Sequence, residues 1–499
     1  MAFKNVFTLL LAVAFSTPLI CEEVSDNEIR NITDEYFLIL DENSTTSTSV
    51  QYSKNINDMR DLELSIITAG GVVLNKYYLA FTGIHARLSE DALAEIQSIS
   101  TIHKIQPNQY AHLNDEPPGD SLAVRSWGLD RIDQHDLPLD NQYRAPATGV
   151  QTHAYIIDSG VRSTHQEFTG RIDNGISTIS NPSTEDCLGH GSHVSGTVLG
   201  STVGVYSRAI LHPVRVFGCS GTTTFDAILR GLEWVIANHK KPAVANMSLG
   251  ANTTVDVLDI AVRNTVTSGV TVVVAAGNSN ADACTSTPAR EPSAITVAAS
   301  DINDRRSSFS NYGSCVDIIA PGSSITSAYY TSDTAYSSLS GTSMASPHAC
   351  GAAALVASLH PTWTPDLIAN QLTSLATMNK IADVRGTPNR LLYVSAFTSL
   401  AVNDPTNPGH GIVVNAGDDF TASMSDTTFT LNGSATDSNG GSIYFVWVQM
   451  SGPNLSLINN IFGATTTVSN FKAGTYTFRL FAIDTQKSVA YDDVNVTVQ

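Results

Sequence analysis

Residues 243–278 read AVANMSLGANTTVDVLDIAVRNTVTSGVTVVVAAGN, and this stretch decides the fold. AVANMSL (243–249) and VTVVVAAGN (270–278) are rich in Val and Ala, and neither alternates strictly between apolar and polar residues. Strands of a parallel sheet read this way because helices cover both of their faces. Between them, TVDVLDIAVRNTVTSG (254–269) carries a helical pattern. The alternation extends in both directions. HAYIID (153–158), AILHPVRVF (209–217), AITVAAS (294–300) and CVDIIAPG (315–322) are further strands of the same kind. TFDAILRGLEWVIANHK (224–240) and GTSMASPHACGAAALVASLH (341–360) are further helices. Residues 120–398 are therefore expected to form a doubly wound α/β domain around a parallel sheet.

The flanks differ in character. Residues 22–114 are expected to hold a strand at Tyr36–Leu40, an amphipathic stretch over Val50–Leu64, strands near Ile66–Leu74 and Tyr77–Phe81, a helix at Ser89–Ser98 and a strand at Thr101–Ile105. Ser89 supplies an N-cap and Glu90 and Asp91 an acidic first turn. That order suits a small α+β, ferredoxin-like domain. Asn114–Asp120 reads as an exposed linker, and residues 399–410, with Asp404-Pro405-Thr406-Asn407-Pro408-Gly409, as a second one. In residues 411–499 helix signals disappear. Short alternating strands (FTLNGSA, SIYFVWVQM, TYTFRLFAI, DDVNVTV) predict a β-sandwich with Trp447 as its core aromatic.

The chain has 499 residues, 42% hydrophobic and 15% charged, with 27 basic and 46 acidic residues and a net charge of −19. That is ample material for a core, and an acidic chain lacks the basic stripe that nucleic acid needs. Residues 1–21 open with Lys4 and continue with an apolar core at Val6–Phe15, the pattern of a secretory signal peptide. No other stretch is long and apolar enough to span a membrane, so a soluble, secreted protein is expected. Cys21 would leave with the leader. An oxidising compartment favours pairing of Cys187, Cys219, Cys284 and Cys315. The local pairings are Cys187–Cys219 and Cys284–Cys315, although sequence alone does not fix connectivity. Cys350 lies in an Ala-rich helix and reads as a buried thiol.

Three polar residues stand where strands end or helices open. Asp158 closes HAYIID, His190 opens a helix after Gly189, and Ser343 opens another after Gly341-Thr342. Ligand crevices of open α/β sheets lie outside the carboxyl ends of the strands, so these three positions can converge. A serine hydroxyl is a weak nucleophile and requires a base, histidine takes and returns the proton, and a carboxylate holds the imidazole. Ser343 at a helix N-terminus would present free amides to a developing oxyanion, and Asn278 would add a side-chain donor. Zinc is the competing reading of His190, His193 and Asp158, but no further His/Cys cluster lies nearby in the sequence.

Asp158-Ser159-Gly160, Gly189-His190-Gly191-Ser192-His193-Val194, Ala276-Gly277-Asn278 and Gly341-Thr342-Ser343-Met344-Ala345-Ser346-Pro347-His348 together resemble the signatures of the subtilisin-like serine proteases. Trp127–Gln134, Ala243–Gly250 and Ser307–Gly313 are similar to the proteinase K branch, especially its aqualysin-like and Vibrio-type members. The resemblance implies Ser343 as nucleophile, His190 as general base and acid, Asp158 as orienting carboxylate, and Asn278 with the Ser343 amide as oxyanion hole. It implies Ser248-Leu249-Gly250 as one substrate-pairing strand and Gly221 with Thr222–Thr224 as the opposite one. The two local disulfides are also those the aqualysin-like members suggest. Ser346 stands where the family commonly has Thr, and Cys350 where it has a small apolar residue.

Structural calcium is implied at two places. The carbonyls of Pro292 and Ala294 with Asp317 resemble a proteinase K site. Asp130, Asp133, Gln134, Asp140 and Gln142 resemble a site of the Vibrio-type members. Residues 36–114, with Phe81–Ser89, resemble the family's inhibitor propeptide. The tail, with Phe445–Pro453 and Thr475–Phe478, resembles a PKD-type domain. The resulting expectation is a secreted, monomeric, calcium-stabilised serine endopeptidase made as a self-processing zymogen. It would act on proteins and peptides with broad specificity favouring apolar or aromatic P1 residues, with its own propeptide as intramolecular inhibitor. One alternative is a catalytically inactive protein that binds through the C-terminal sandwich. An esterase is disfavoured because no Gly-x-Ser-x-Gly elbow is present.

Overall fold

The computed structural model describes residues 31–40, 48–113, 116–119, 126–144, 149–395, 412–437, 443–454, 456–484 and 489–499. The expected leader (1–21), with Cys21, and the linker 399–410 lie outside the described residues, as do 120–125 and 396–398 at the limits of the expected central domain.

The first unit runs β1 (Asn31–Leu40), α1 (Thr48–Thr68), β2 (Val72–Tyr77), β3 (Gly83–Arg87), α2 (Glu90–Ile96) and β4 (Ile102–His112). Its sheet order is β2-β3-β1-β4, as a ferredoxin-like unit requires. Ser89 caps α2 by accepting the Ala92 amide at 3.2 Å. Three expected boundaries are corrected. Ile66 belongs to α1, where Met59, Leu62 and Ile66 recur at helical spacing and are buried together; the strand begins only after Gly70 (φ 81°) breaks the helix. Of Tyr77–Phe81 only Tyr77 is in a strand, as the last residue of β2. The amides of Tyr78, Leu79 and Ala80 all donate to the Glu233 carboxylate in the next domain, so the strand falls instead at Gly83–Arg87. The last strand extends to His112 because its end pairs outside its own domain.

The central domain contains β5 (Glu116–Gly119), α3 (Trp127–Ile132), β6 (His153–Asp158), β7 (Ile176–Ser177), α4 (His190–Leu199), β8 (Ile210–Arg215), β9 (Thr222–Thr224), α5 (Phe225–Asn238), β10 (Ala243–Met247), α6 (Asp256–Thr267), β11 (Val270–Ala275), β12 (Ile295–Ser300), β13 (Ile318–Pro321), β14 (Ile325–Ala328), β15 (Tyr336–Ser340), α7 (Thr342–Leu359), α8 (Pro365–Ser374), β16 (Thr377–Met378) and β17 (Arg390–Leu391). The nine-stranded sheet has the order β16-β17-β13-β12-β11-β10-β6-β8-β7. All neighbours from β17 to β7 pair parallel. Both faces are covered. Ala154, Ile156, Val244 and Val273 join the core under α4 and α7. Tyr155, Ile157, Ala245, Val272 and Val274 join the core under α5 and α6. The expected linker is corrected here, because Glu116–Gly119 forms a strand that pairs with β15.

The last unit comprises β18 (Ile412–Asn415), β19 (Phe420–Ala422), β20 (Phe429–Asn432), β21 (Ser434–Asp437), β22 (Ile443–Ser451), β23 (Leu457–Ile458), β24 (Thr465–Ser469), β25 (Gly474–Asp484) and β26 (Val489–Val498). The ladder β19-β26-β25-β22 and the ladder β20-β24-β23 enclose one core. Trp447 sits in it, 1% exposed.

The first unit is bolted to α5. Asp226 in the first turn of α5 accepts from Tyr77 Oη at 2.7 Å and Asn75 Nδ2 at 2.8 Å, and lies 2.9 Å from both His85 Nδ1 and Arg230 Nε. Burial acts to raise its carboxyl, but the hydrogen bond and charge of His85, with Arg230 and the Tyr77 hydroxyl, carry it well below the ordinary carboxylate range. A carboxyl depressed on folding stabilises above its unfolded pKa of about 3.9, and that contribution is lost as pH falls below it. Acidification from pH 5 to 3 should therefore loosen this contact. In thermal unfolding of the full chain, the drop in Tm over that interval should be smaller for Asp226→Asn than for wild type.

Candidate active site

Asp158 is the last residue of β6, and His190 is the first residue of α4. Gly189, at φ 103°, makes the turn into that helix. Tyr329 packs so closely on it that a Cβ would meet the ring at 2.4 Å. His190 Nδ1 lies 2.7 Å from Asp158 Oδ1, and both residues are buried. The Ser159 amide donates to the same oxygen at 2.7 Å. Burial acts to raise the Asp158 carboxyl, while the His190 charge and hydrogen bond and the Ser159 amide pull against it. A carboxylate on Nδ1 leaves Nε2 as the nitrogen that can exchange a proton with a substrate.

Ser343 occupies the second position of α7, a helix whose residues Thr342 to Ser358 are all buried. Small residues (Ala345, Ala349, Ala352, Ala353) let α7 pack against α4 and the sheet. That packing carries the α7 N-terminus to the carboxyl ends of β10 and β11. Pro347 has no amide to donate to the carbonyl four residues back, which belongs to Ser343. That carbonyl instead accepts the Ser248 hydroxyl at 2.8 Å. Ser248 Oγ in turn accepts Asn246 Nδ2 at 2.9 Å, and Ser346 donates to Asn246 Oδ1 at 2.8 Å. The Ser343 hydroxyl donates to the Ser248 carbonyl at 3.2 Å.

Asn278 follows β11. Its Oδ1 accepts both the amide and the hydroxyl of Thr342, each at 2.8 Å. This fixes the amide's orientation, so that Nδ2 is the end turned away from Thr342. Asn278, Thr342 and Ser343 line one cavity with Ser248, Leu249 and Gly250. The remaining wall is built of small residues, among them Ala275, Ala276 and Ala289. Across the cleft, Gly221 (φ 73°) leads into β9. Sequence reasoning did not assign Thr342, Asn246 or Ser346 a role. Their signal was present only as neighbours of glycine-rich motifs.

Four expected cysteines pair as Cys187–Cys219 and Cys284–Cys315. The first links the loop before His190 to the turn before Gly221. Cys350 is buried and unpaired, and burial pushes its thiol well above the ordinary range. His193 turns its Nε2 to the Ile325 carbonyl at 2.8 Å, beneath the site.

The acidic loop residues gather around α3. Asp130 accepts the Asn141 amide at 2.7 Å and the Asp140 amide at 3.3 Å, Asp133 accepts the Arg144 amide at 2.8 Å, and Gln134 Oε1 accepts the Asp140 amide at 3.3 Å. Gln142 enters only through its amide, which donates to Asp140 Oδ1 at 2.9 Å. Burial raises the Asp130 and Asp133 carboxyls. Asp133 Oδ1 is buried with no hydrogen-bond partner. Among the described residues no three of His, Cys, Asp and Glu stand together as a metal cage, so carboxylates alone do not complete a site. In the other location, Asp317 accepts the Thr296 amide at 2.8 Å, two residues beyond Ala294. Burial pushes the Asp317 carboxyl up to about 6; Pro292 is exposed at the end of the same loop.

The model of the subtilase family matches residues 151–394, and that of a PKD domain matches residues 416–498. The extracellular serine proteinase of Thermus sp. (strain Rt41A) is 48% identical over 329 residues, 65% of this chain and 78% of that protein. Alkaline serine exoprotease A of Vibrio alginolyticus is 44% identical over 316 residues, 63% of this chain and 59% of that protein. A crystal structure of a cold adapted subtilisin-like serine proteinase is 49% identical, with a TM-score of 0.52, covering 54% of this chain and 97% of that one.

Since Thr342 aims the Asn278 amide, Asn278→Ala should lower kcat on a peptide substrate by about 10²–10³-fold with KM little changed. Steady-state kinetics with active-site titration checks this.

Proposed function

The chain belongs to the subtilase family and is a subtilisin-like serine proteinase, and we propose that it is a secreted endopeptidase made as a zymogen that cuts its own chain before cutting others. The observation that carries this reading is a pair of strand pairings, one on either side of the cleft. The end of β4 pairs with β9 (Tyr110↔Thr224, Ala111↔Thr223, His112↔Thr222), and the Leu113 amide donates to the Gly221 carbonyl at 3.1 Å. On the other side, Glu116 and Gly119 of β5 pair with Ser340 and Ser338 of β15, which runs directly into Ser343. β4 and β5 are therefore paired to strands on the two sides of the site. An extended peptide held at both edges is how a strand-pairing protease takes its substrate.

In this mechanism Ser343 Oγ attacks the scissile carbonyl while His190 Nε2 takes its proton. Asp158 holds the imidazole in the required tautomer and stabilises the imidazolium. Asn278 Nδ2 and the Ser343 amide stabilise the oxyanion. His190 then protonates the leaving amine, leaving an acyl-enzyme at Ser343. Water attacks the acyl carbonyl as His190 takes its proton; the bond to Ser343 Oγ then breaks, His190 returns the proton to that oxygen, and the new carboxyl terminus leaves. Ser248–Gly250 would pair with the substrate backbone, and the cavity beside them would take an apolar or aromatic P1 side chain. The test is the intact mass of the full chain beside Ser343→Ala. Wild type should separate between Leu113 and Glu116, and the variant should stay whole. Equal masses for the two would favour a binding protein acting through the sandwich.

Calcium is proposed as a structural ion. The buried, partnerless Asp133 Oδ1 and the buried Asp317 carboxyl fit a cation, with Asp130, Gln134, Asp140 and Gln142 around the first and the Pro292 and Ala294 carbonyls near the second. Calcium there would supply only charge and cross-linking, not chemistry. At a hundredfold excess over Kd such an ion stabilises by about 2.7 kcal/mol. Chelation should therefore lower Tm by about 5–10 °C. Calcium rather than magnesium should restore it, and Asp133→Asn should remove part of the shift.

A further inference from the structure

We infer that Asp186 is a positioning residue for the catalytic pair: a second buried carboxylate that holds Asp158 and His190 in register and supplies negative charge at the helix end that carries His190. The inference rests on the roles proposed above for Asp158 and His190.

Asp186 is 9% exposed, and its carboxylate accepts five hydrogen bonds. Oδ1 takes the Ser159 hydroxyl and the amides of Leu188 and Gly189, each at 2.9 Å. Oδ2 takes the Ser192 amide at 2.9 Å and the Ser192 hydroxyl at 2.7 Å. These donors flank both members of the pair. Ser159 follows Asp158 directly and donates its own amide to Asp158 Oδ1. Leu188, Gly189 and Ser192 surround His190. Ser159 Oγ also accepts the Gly191 amide at 2.9 Å, so the end of β6 and the first turn of α4 meet through one hydroxyl and one carboxylate.

The helix explains why a carboxylate is placed there. α4 begins at Gly189, which has no side chain to cap it. The first turn of a helix carries exposed amides and partial positive charge. His190 must become an imidazolium during the reaction in that same turn, so the helix end opposes its charge. Asp186 caps the turn from three residues upstream and offsets the opposition. The charged and titratable groups around this turn include Asp158 on β6, Arg215 at the end of β8, Glu185 in the preceding loop, Tyr329 and Tyr330 against Gly189, His193 within α4, and Arg162, whose amide donates to Ser192 Oγ and whose guanidinium turns to Asp333 and the Tyr330 carbonyl. Arg215 is engaged with the Ser183 carbonyl and Cys187, and Glu185 with Ser163. Asp186 differs from these groups in accepting from donors that flank both members of the pair.

The test uses enzyme expressed from the full chain, with each preparation titrated by an acylating inhibitor so that rates are expressed per competent Ser343. Asp186→Asn keeps the size, removes the charge and turns one acceptor oxygen into a donor facing groups that already donate. It should lower kcat by about tenfold or more with KM near wild type. It should also move the acidic limb of kcat/KM downward by about half a pH unit, since lost negative charge makes the imidazolium easier to deprotonate. Ser159→Ala cuts one link without removing charge, so kcat should fall while the limb stays. A wild type without titratable sites would defeat the functional reading itself. A titratable Asp186→Asn with kcat within twofold of wild type, or an unmoved limb, would overturn the role of Asp186 alone. If Asp186→Asn does not fold, Ser159→Ala carries the test, and a change in kcat below twofold overturns the inference.

Discussion

A helix with no polar face governs the site. α7 is buried from Thr342 to Ser358, and its many Ala, Gly and Ser residues let neighbouring elements close on it without a gap. It therefore has one seating against α4 and against β10 to β13, and its N-terminus has one place to emerge. Ser343 is held by the packing of the domain rather than by its own neighbours. Catalytic precision is in this sense a property of the core.

Within that frame, polar groups are held through backbone vacancies. Pro347 withholds an amide from the Ser343 carbonyl, and Ser248, Asn246 and Ser346 close the gap as a buried chain. Buried polar groups are costly unless satisfied, so a satisfied chain of this kind has few alternative arrangements. The same logic holds at α4, where a glycine start leaves capping to Asp186. Both helices that bear the reacting side chains thus begin with a deficiency met by a side chain outside the helix.

The strands of the central sheet were legible because two-sided burial writes itself as unbroken apolar runs. Asp158, His190, Asn278 and Ser343 were legible because each interrupts such a pattern beside glycine. Boundaries failed where the decisive partner lay in another unit. Nothing within Tyr77–Phe81 shows that its amides will turn to Glu233, and nothing in Asn114–Asp120 shows a strand waiting in β15. The hydrogen bonds that Asp186, Thr342 and Asn246 make were likewise invisible, since a polar residue near a turn has many local uses.

The pairing of β4 with β9 has a consequence in terms of effective concentration. On the proposed reading β4 blocks the cleft, and while it belongs to the same chain it stands there at a local concentration that no dilution changes. A single cut between Leu113 and Glu116 converts that tether into an ordinary complex, whose occupancy follows the amount of protein around it. On the proposed reading, the molecule would remain shut in a crowded compartment and open on release into a large volume. Dispersal itself would then act as the signal, with no dedicated receptor for it.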